Sequence, residues 1–409
     1  ARAPRFPWCR SWRLLVSAKT ASGLIQTKRM INGAEAMALA FELAGVRIAY
    51  TYPITPQIEV METLSRNHGI TYIQADSEFN VLAGAQGALW AGERCAVATA
   101  SQGLVLMSEV MWEVAGNRLP LVMGVFNRGL KGPGWCLGAQ QNDTLFMRDT
   151  GWMQFYCESA QEVLDFILLA YRVGEEICLP AIVSGDGFYL SHETEEVDLP
   201  GQDEVTAFLG ERMRCGDPIT DKHANYGGLM PPPKYFSAYQ RMHHDMLRAV
   251  DVFETAAAEF AERFGRRYEL ISPVYTEDAE TVILSAGTTC GTIRAVVEQR
   301  RGRGEKIGLL KLHGMRPFPG EAIHRAVKNA RRLIVIDRDV APGLGGIFAS
   351  EIRLALRSRG YTAPIYSFVT GLGGTDVTPE MVEQALAYVA NSKQPLPDTL
   401  FLHETTIEA

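Results

Sequence analysis

The chain has 409 residues, of which 47% are apolar and 21% charged, with a formal net charge of −7. This balance fits a folded globular protein rather than a disordered one, and its acidic sign offers no basic field for nucleic acid. No apolar run reaches the roughly 18 residues needed to span a bilayer, so no membrane partner is expected. Two domains are expected, because single cores rarely grow beyond roughly 250–300 residues.

Residues 1–29 carry seven Lys or Arg and no Asp or Glu. Such a segment has the composition of a transit peptide. The globular pattern begins just after Met30, so residues 1–29 are read as a leader or upstream segment outside the fold. From Ala34 to about Gly187 helix and buried strand alternate. The predicted strands are Val46 to Tyr52, Tyr72 to Gln74, Cys95 to Ala100, Leu121 to Phe126 and Ala181 to Ser184. The predicted helices are Ala34 to Leu43, Pro56 to Arg66, Ser77 to Trp90, Val105 to Ala115 and Ala160 to Val173. Apolar strands separated by helices imply a doubly wound parallel sheet covered on both faces. A stretch with several breakers, Pro200 to Tyr235, precedes a predicted connecting helix, about Ala238 to Phe264. A second, smaller α/β alternation begins at Val282. The expected division is therefore a first domain over 30–200, a linker and helix over 201–270, and a second domain over 271–409.

Seven cysteines (Cys9, Cys95, Cys136, Cys157, Cys178, Cys215 and Cys290) are scattered, with no C-x-x-C pair. Neither an iron–sulfur cluster nor a zinc site is expected on this chain, and no metal is assigned to it. An odd count suits a reducing cytoplasm better than a disulfide framework.

Several short segments at strand ends could carry chemistry. Thr51-Tyr52-Pro53-Ile54-Thr55-Pro56-Gln57 joins a strand to a helix through a turn fixed by two prolines, and holds the Thr55 hydroxyl where open α/β sheets place ligands. It could equally be an ordinary rigid turn. Glu78 opens a helix rich in small residues, where the helix dipole alone would favour an acid. In Ala100-Ser101-Gln102-Gly103 the glycine permits close backbone approach; taken alone this is a small-residue turn. Arg128 follows a strand, and a guanidinium is suited to bidentate binding of a planar carboxylate, although a loop arginine can simply be solvated. Gly185-Asp186-Gly187 looks like the metal-diphosphate motif of many thiamine enzymes but lacks its downstream Asn pair, so a strand-to-turn junction is the better reading. Pro342-Gly343-Leu344-Gly345-Gly346 is not a dinucleotide fingerprint and is read as a tight turn.

Taken in order, Tyr52 to Gln57, Glu78 with Ala100 to Gly103, Asn127-Arg128 with Arg148-Asp149-Thr150-Gly151-Trp152, and Gly371-Leu372-Gly373-Gly374 resemble the α subunit of 2-oxoacid:ferredoxin oxidoreductases, above all the pyruvate type. The resemblance runs from about Ile31 to about Val389. It implies a pyrimidine-type thiamine diphosphate domain followed by a domain like the C-terminal domain of transketolases. It implies CoA-acylating oxidative decarboxylation of a 2-oxo acid such as pyruvate, with electrons passing to ferredoxin through clusters on partner chains. Glu78 is matched with the glutamate that bonds the aminopyrimidine ring, and Thr55 and Arg128 with the pair that holds the 2-oxo acid. Tyr52, Pro53, Ile54, Thr55, Glu78, Ser101, Gln102 and Gly103 fall in the cofactor pocket. The implied partners are a β subunit that holds Mg²⁺ and the diphosphate, a γ subunit and an iron–sulfur δ subunit. Arg148 and Asp149 are expected to brace their loop as an ion pair. The bulky loop Gly132-Pro133-Gly134-Trp135-Cys136 departs from the small-substrate pattern, which keeps open an aryl or branched 2-oxo acid with NAD as acceptor. A non-catalytic scaffold is the third reading.

Overall fold

The computed structural model describes residues 16–19, 25–67, 69–211, 215, 227–392, 399–403 and 407–408. The first domain is built on a seven-stranded sheet. In spatial order its strands are Gly314–Arg316, Met153–Cys157, Ala181–Asp186, Val122–Asn127, Cys95–Thr99, Ile48–Thr51 and Thr71–Gln74. The six strands drawn from the first domain pair in parallel. Cys95–Thr99, Val122–Asn127 and Ala181–Asp186 are buried at every residue, as expected for strands covered on both faces. One face packs on the helices Gly33–Leu43 and Ala160–Ile177, the other on Glu78–Trp90 and Ser108–Gly116. The predicted α/β class and parallel sheet therefore describe the molecule.

The second domain has its own seven-stranded sheet. Its order is Ile271–Val274, Ile307–Leu312, Thr281–Ala286, Arg332–Asp337, Ile365–Val369, Leu400–Leu402 and Ile407–Glu408. The five central strands are parallel and the two edges antiparallel. The short strand Gly314–Arg316 leaves this domain and pairs antiparallel with Met153–Cys157 of the first sheet, so main-chain hydrogen bonds stitch the domains together.

Charged groups buried at the same boundary reinforce that stitch. Lys311, only 2% exposed, lies 3.0 Å from Glu158 and also bonds Glu162, which lies 3.4 Å from His313 Nε2. Arg294 reaches Glu158 at 2.6 Å. Removing one partner from such a cluster is costly, because it strands a charge away from water.

Several expectations need correction. Residues 25–29 are not outside the fold: strand Ile25–Asn32 pairs with Val16–Lys19 and with Thr194–Leu199, both antiparallel. The basic composition that set this segment apart is complemented by the acidic strand it meets, with Lys28 bonding Glu196 at 2.6 Å. The rest of the leader, 1–15 and 20–24, lies outside the described residues. The stretch after Pro200 opens with helix Gln202–Leu209. The connecting helix begins at Pro232, since proline at a first turn gives up only an amide that has no intrahelical partner. That helix runs 33 residues to Phe264 and buries Ala249, Val252, Phe253, Ala256, Ala257, Phe260 and Phe264 along one stripe of its second half. Cys178 and Cys215 form a disulfide with Cα atoms 5.6 Å apart, a pairing that a separation of 37 residues hides from sequence. Among the described residues no helix is long and apolar enough to cross a membrane.

Candidate active site

Four neighbouring strands of the first sheet, Val122–Asn127, Cys95–Thr99, Ile48–Thr51 and Thr71–Gln74, end at the same edge, and the segments that follow them bring the predicted residues together. Arg128 is central. Its side chain is 3% exposed, and its guanidinium donates from Nη1 to the Thr55 carbonyl oxygen at 2.7 Å and from Nη2 to Gln102 Oε1 at 2.8 Å. The Ser101 hydroxyl lies 2.7 Å from both Gln102 Oε1 and the Gly129 carbonyl oxygen. Burial lowers the proton affinity of Arg128, while the negative charges of Asp143 and Glu78 act in the opposite sense.

Ser101 adopts φ +51°, a conformation that costs a non-glycine residue of order 1–2 kcal/mol. Asp143 compensates. Its Oδ2 accepts the backbone amides of Ser101 at 2.9 Å and Arg128 at 3.1 Å, and its Oδ1 accepts from Asn127 Nδ2 at 2.7 Å and from the Thr144 amide at 2.8 Å. Burial pushes this carboxyl up to about 6, against the pull of those four donors. Sequence reasoning missed Asp143. The available signal was the polar run Gln140-Gln141-Asn142-Asp143-Thr144 set among apolar residues. Gln57 was also underrated: buried, it accepts the Phe126 amide at 3.0 Å and thereby fixes the Thr55 loop to the neighbouring strand.

Glu78 is the first residue of helix Glu78–Trp90, whose N-cap Ser77 accepts from the Asn80 amide. Its half-buried carboxylate lies over Gly103: a Cβ on Gly103 would stand 2.6 Å from both Glu78 Oε1 and Thr99 Oγ1. A side chain at position 103 would displace the acid, so the glycine reserves this space. The small residues of the helix serve a different neighbour, since a Cβ on Gly84 would meet the Tyr50 ring at 2.4 Å.

Tyr52, Pro53 and Ile54 form the loop that leads into Thr55, whose peptide to Pro56 is cis. Buried polar atoms without a protein hydrogen-bond partner gather at this edge: Thr51 Oγ1, Thr99 Oγ1, Gln102 Nε2, Asn127 Oδ1 and Arg128 Nε. Natural folds rarely leave such atoms unsatisfied, and the glycine-backed carboxylate beside them completes a set suited to a polar heterocycle and a small carboxylate.

Other motifs are structural. Asp186, fully buried, accepts from Gln141 Nε2 at 3.0 Å, the Thr288 amide at 2.8 Å and the Thr288 hydroxyl at 2.5 Å. It therefore joins the domains, as more than the plain turn expected of Gly185-Asp186-Gly187. Arg148 braces its own segment as expected, donating to the Leu145 carbonyl oxygen at 3.0 Å and lying 3.9 Å from Asp149, and it also reaches Glu351 across the domain boundary at 3.4 Å. Gly373 packs on Gly138, where a Cβ would come within 2.2 Å of the Gly373 oxygen, and receives a hydrogen bond from the Cys136 thiol at 3.2 Å.

Residues 40–258 match the family described as pyruvate flavodoxin/ferredoxin oxidoreductase, thiamine diphosphate-binding, and residues 279–382 match pyruvate:ferredoxin oxidoreductase core domain II. The first domain is thus of the thiamine diphosphate-binding class. Pyruvate synthase subunit PorA of Methanothermobacter thermautotrophicus is 38% identical over 373 residues, covering 90% of this chain and 96% of the relative. Ketoisovalerate oxidoreductase subunit VorA of Pyrococcus abyssi is 36% identical, covering 86% of this chain and 90% of the relative. The 2-oxoglutarate:ferredoxin oxidoreductase of Magnetococcus marinus, solved with 2-oxoglutarate, coenzyme A and succinyl-CoA bound, superposes with a TM-score of 0.69 at 19% identity. That match covers 88% of this chain and 65% of the longer one, and it shows a shared fold. The chain belongs to the family of α subunits of 2-oxoacid:ferredoxin oxidoreductases.

Proposed function

We propose that this chain is the α subunit of a CoA-acylating 2-oxoacid oxidoreductase that converts a 2-oxo acid such as pyruvate to acyl-CoA and CO₂ and delivers the electrons to ferredoxin. The carrying observation is the joint placement of Thr55, Glu78, Gln102 and Arg128 at one sheet edge, with unsatisfied polar atoms around them. Thiamine diphosphate, when bound, supplies a carbon nucleophile and a sink for the electrons released by decarboxylation. Glu78 would hold a proton at its carboxyl and share it with the pyrimidine ring, the positioned acid–base role that enzymes commonly give to a carboxylate. Tyr52, Pro53, Ile54, Ser101, Gln102 and Gly103 would shape the surrounding pocket. Arg128, aided by the Thr55 hydroxyl, would bind and orient the substrate carboxylate through a charge-assisted contact.

The Mg²⁺-diphosphate half of the cofactor is assigned to a β subunit. In support, Asp186, the acid of the Gly-Asp-Gly run, is already committed to Gln141 and Thr288. Electron transfer is assigned to an iron–sulfur δ subunit, and a γ subunit completes the complex. Apolar side chains exposed on the helices around the site, Phe79, Leu106, Trp112 and Phe146, are the kind of surface a partner subunit covers. A cytoplasmic location is part of this reading; the free thiols at Cys95, Cys136, Cys157 and Cys290 favour it, whereas the Cys178–Cys215 disulfide does not.

The test is reconstitution with candidate partner subunits, followed by 2-oxo acid-dependent and CoA-dependent reduction of ferredoxin. The reading requires turnover that depends on added thiamine diphosphate. Reduction of NAD in place of ferredoxin would favour the second acceptor, and assembly without any turnover would favour a scaffold.

A further inference from the structure

The loop after Arg128 is built as a rigid projection. The Gly129 amide donates to the Gly138 carbonyl at 3.0 Å and closes its base, and Gly132 to Gly134 closes its tip at 3.2 Å. The second domain holds it from below through the Cys136 thiol on the Gly373 carbonyl and the close packing of Gly138 on Gly373. At the end of this projection stands Trp135. Its ring centroid is 5.7 Å from Arg128 Cζ and 4.6 Å from Lys131 Nζ, so two cations fix the indole. Nonetheless 68% of the residue is exposed. The two cations account for one part of the ring, and most of this large aromatic is left open beside a buried arginine.

We propose that Trp135 sets substrate specificity, its indole forming the wall against which the 2-oxo acid side chain packs, so that branched and aryl side chains are favoured over the methyl group of pyruvate. This inference rests on the reading of Arg128 as the carboxylate anchor. A carboxylate held by a guanidinium sits about 2.8 Å from its nitrogens. The side chain of a 2-oxo acid begins only two bonds from the carboxyl carbon, so it emerges beside a ring centred 5.7 Å from the same guanidinium carbon. Methyl contacts little of the indole, whereas isopropyl and phenyl groups remove much more apolar surface from water.

The experiment compares kcat/KM for pyruvate, 2-oxoisovalerate and phenylglyoxylate in the full reconstituted complex, for wild type, Trp135→Ala and Trp135→Phe. The wild type should favour at least one larger acid over pyruvate. In Trp135→Ala the ratio of larger acid to pyruvate should fall at least about tenfold, the scale at which a pocket reads one or two carbons. Trp135→Phe, which keeps an aromatic wall, should preserve the ratio. A wild type that prefers pyruvate over both larger acids, or a ratio unchanged in Trp135→Ala, overturns the inference and leaves the function standing. Turnover of none of the three acids by wild type overturns this inference, and absence of turnover with 2-oxoglutarate as well would overturn the function. Should Trp135→Ala fail to assemble, Trp135→Leu carries the same test, and its phenylglyoxylate-to-pyruvate ratio must fall.

Discussion

The guanidinium of Arg128 donates to the backbone carbonyl of Thr55 at 2.7 Å, so the two residues matched to the substrate carboxylate are already tied to each other. Arg128→Lys keeps the charge but loses the fork that reaches Thr55 and Gln102 together. The expected cost is about 1.5–3 kcal/mol in kcat/KM for the 2-oxo acid, with KM for CoA nearly unmoved. Normal affinity for the 2-oxo acid in Arg128→Ala would rule out Arg128 as the anchor.

Glu78→Gln should leave assembly intact and lower turnover by about 10²-fold or more, the scale of general acid–base assistance. Exchange of the cofactor C2 proton in deuterated buffer, followed by NMR, reads the affected step directly. Exchange at the wild-type rate would reduce Glu78 to a helix-start residue.

Gly103→Ala probes the same acid from the other side. Its added methyl would lie 2.6 Å from Glu78 Oε1 and Thr99 Oγ1, so the carboxylate must shift. Turnover should fall towards that of Glu78→Gln, and thermal stability should fall as well, because Thr99 is a buried strand residue with little room to yield. A fully active alanine variant would show that the position of Glu78 over Gly103 is immaterial.

Asp143 gives the site a pH dependence. Burial raises its pKa from 3.8 to about 6, so the folded chain binds more protons than the unfolded one between those values. Stability from this group therefore declines as pH rises from about 4 to about 6 and is level above that. Activity should run the other way, rising through pH 6, because only the ionised carboxylate accepts all four donors that shape Ser101 and Arg128. In Asp143→Asn the acid limb of kcat/KM near pH 6 should vanish, at a rate at least about tenfold lower, the cost expected of leaving a buried donor unpaired. An acid limb identical to wild type would assign it to another group.

Glu162 tests the domain boundary. Burial works against its charge, but His313 and the Lys311 ammonium outweigh that cost and bring its pKa from 4.5 down to about 2. A depressed folded pKa stabilises above the unfolded value and is lost as pH falls through the folded one, so this contribution fades between about 4.5 and 2. Glu162→Gln should destabilise by about 1.5–3 kcal/mol, since Lys311 loses one charged partner and keeps Glu158 at 3.0 Å. Denaturant titrations at pH 7 and pH 3 check both statements, and equal sensitivity of wild type and variant to acid would refute the pairing.

The sequence by itself determined the α/β class and the parallel order of strand and helix, and it marked Thr55, Glu78, Ser101-Gln102-Gly103 and Arg128 as candidates that the fold then brings to one sheet edge. Each lies near a strand end with a local signal (paired prolines, a glycine after a small-residue turn, an acid at a helix start), but those signals alone also fit ordinary turns, and it was their order along the chain, through the family resemblance, that singled them out. What only the tertiary structure decided were contacts between segments far apart in the chain. Asp143 supports Ser101 from 42 residues away, Lys311 meets Glu162 across 149, and strand Gly314–Arg316 crosses into the first sheet. Strand Ile25–Asn32 looked extraneous because its basic composition makes sense only beside Thr194–Leu199. Local propensity is written in neighbouring residues, whereas a buried charge or an edge strand is stable only through a partner that folding brings to it, and that partner leaves no signal at short range.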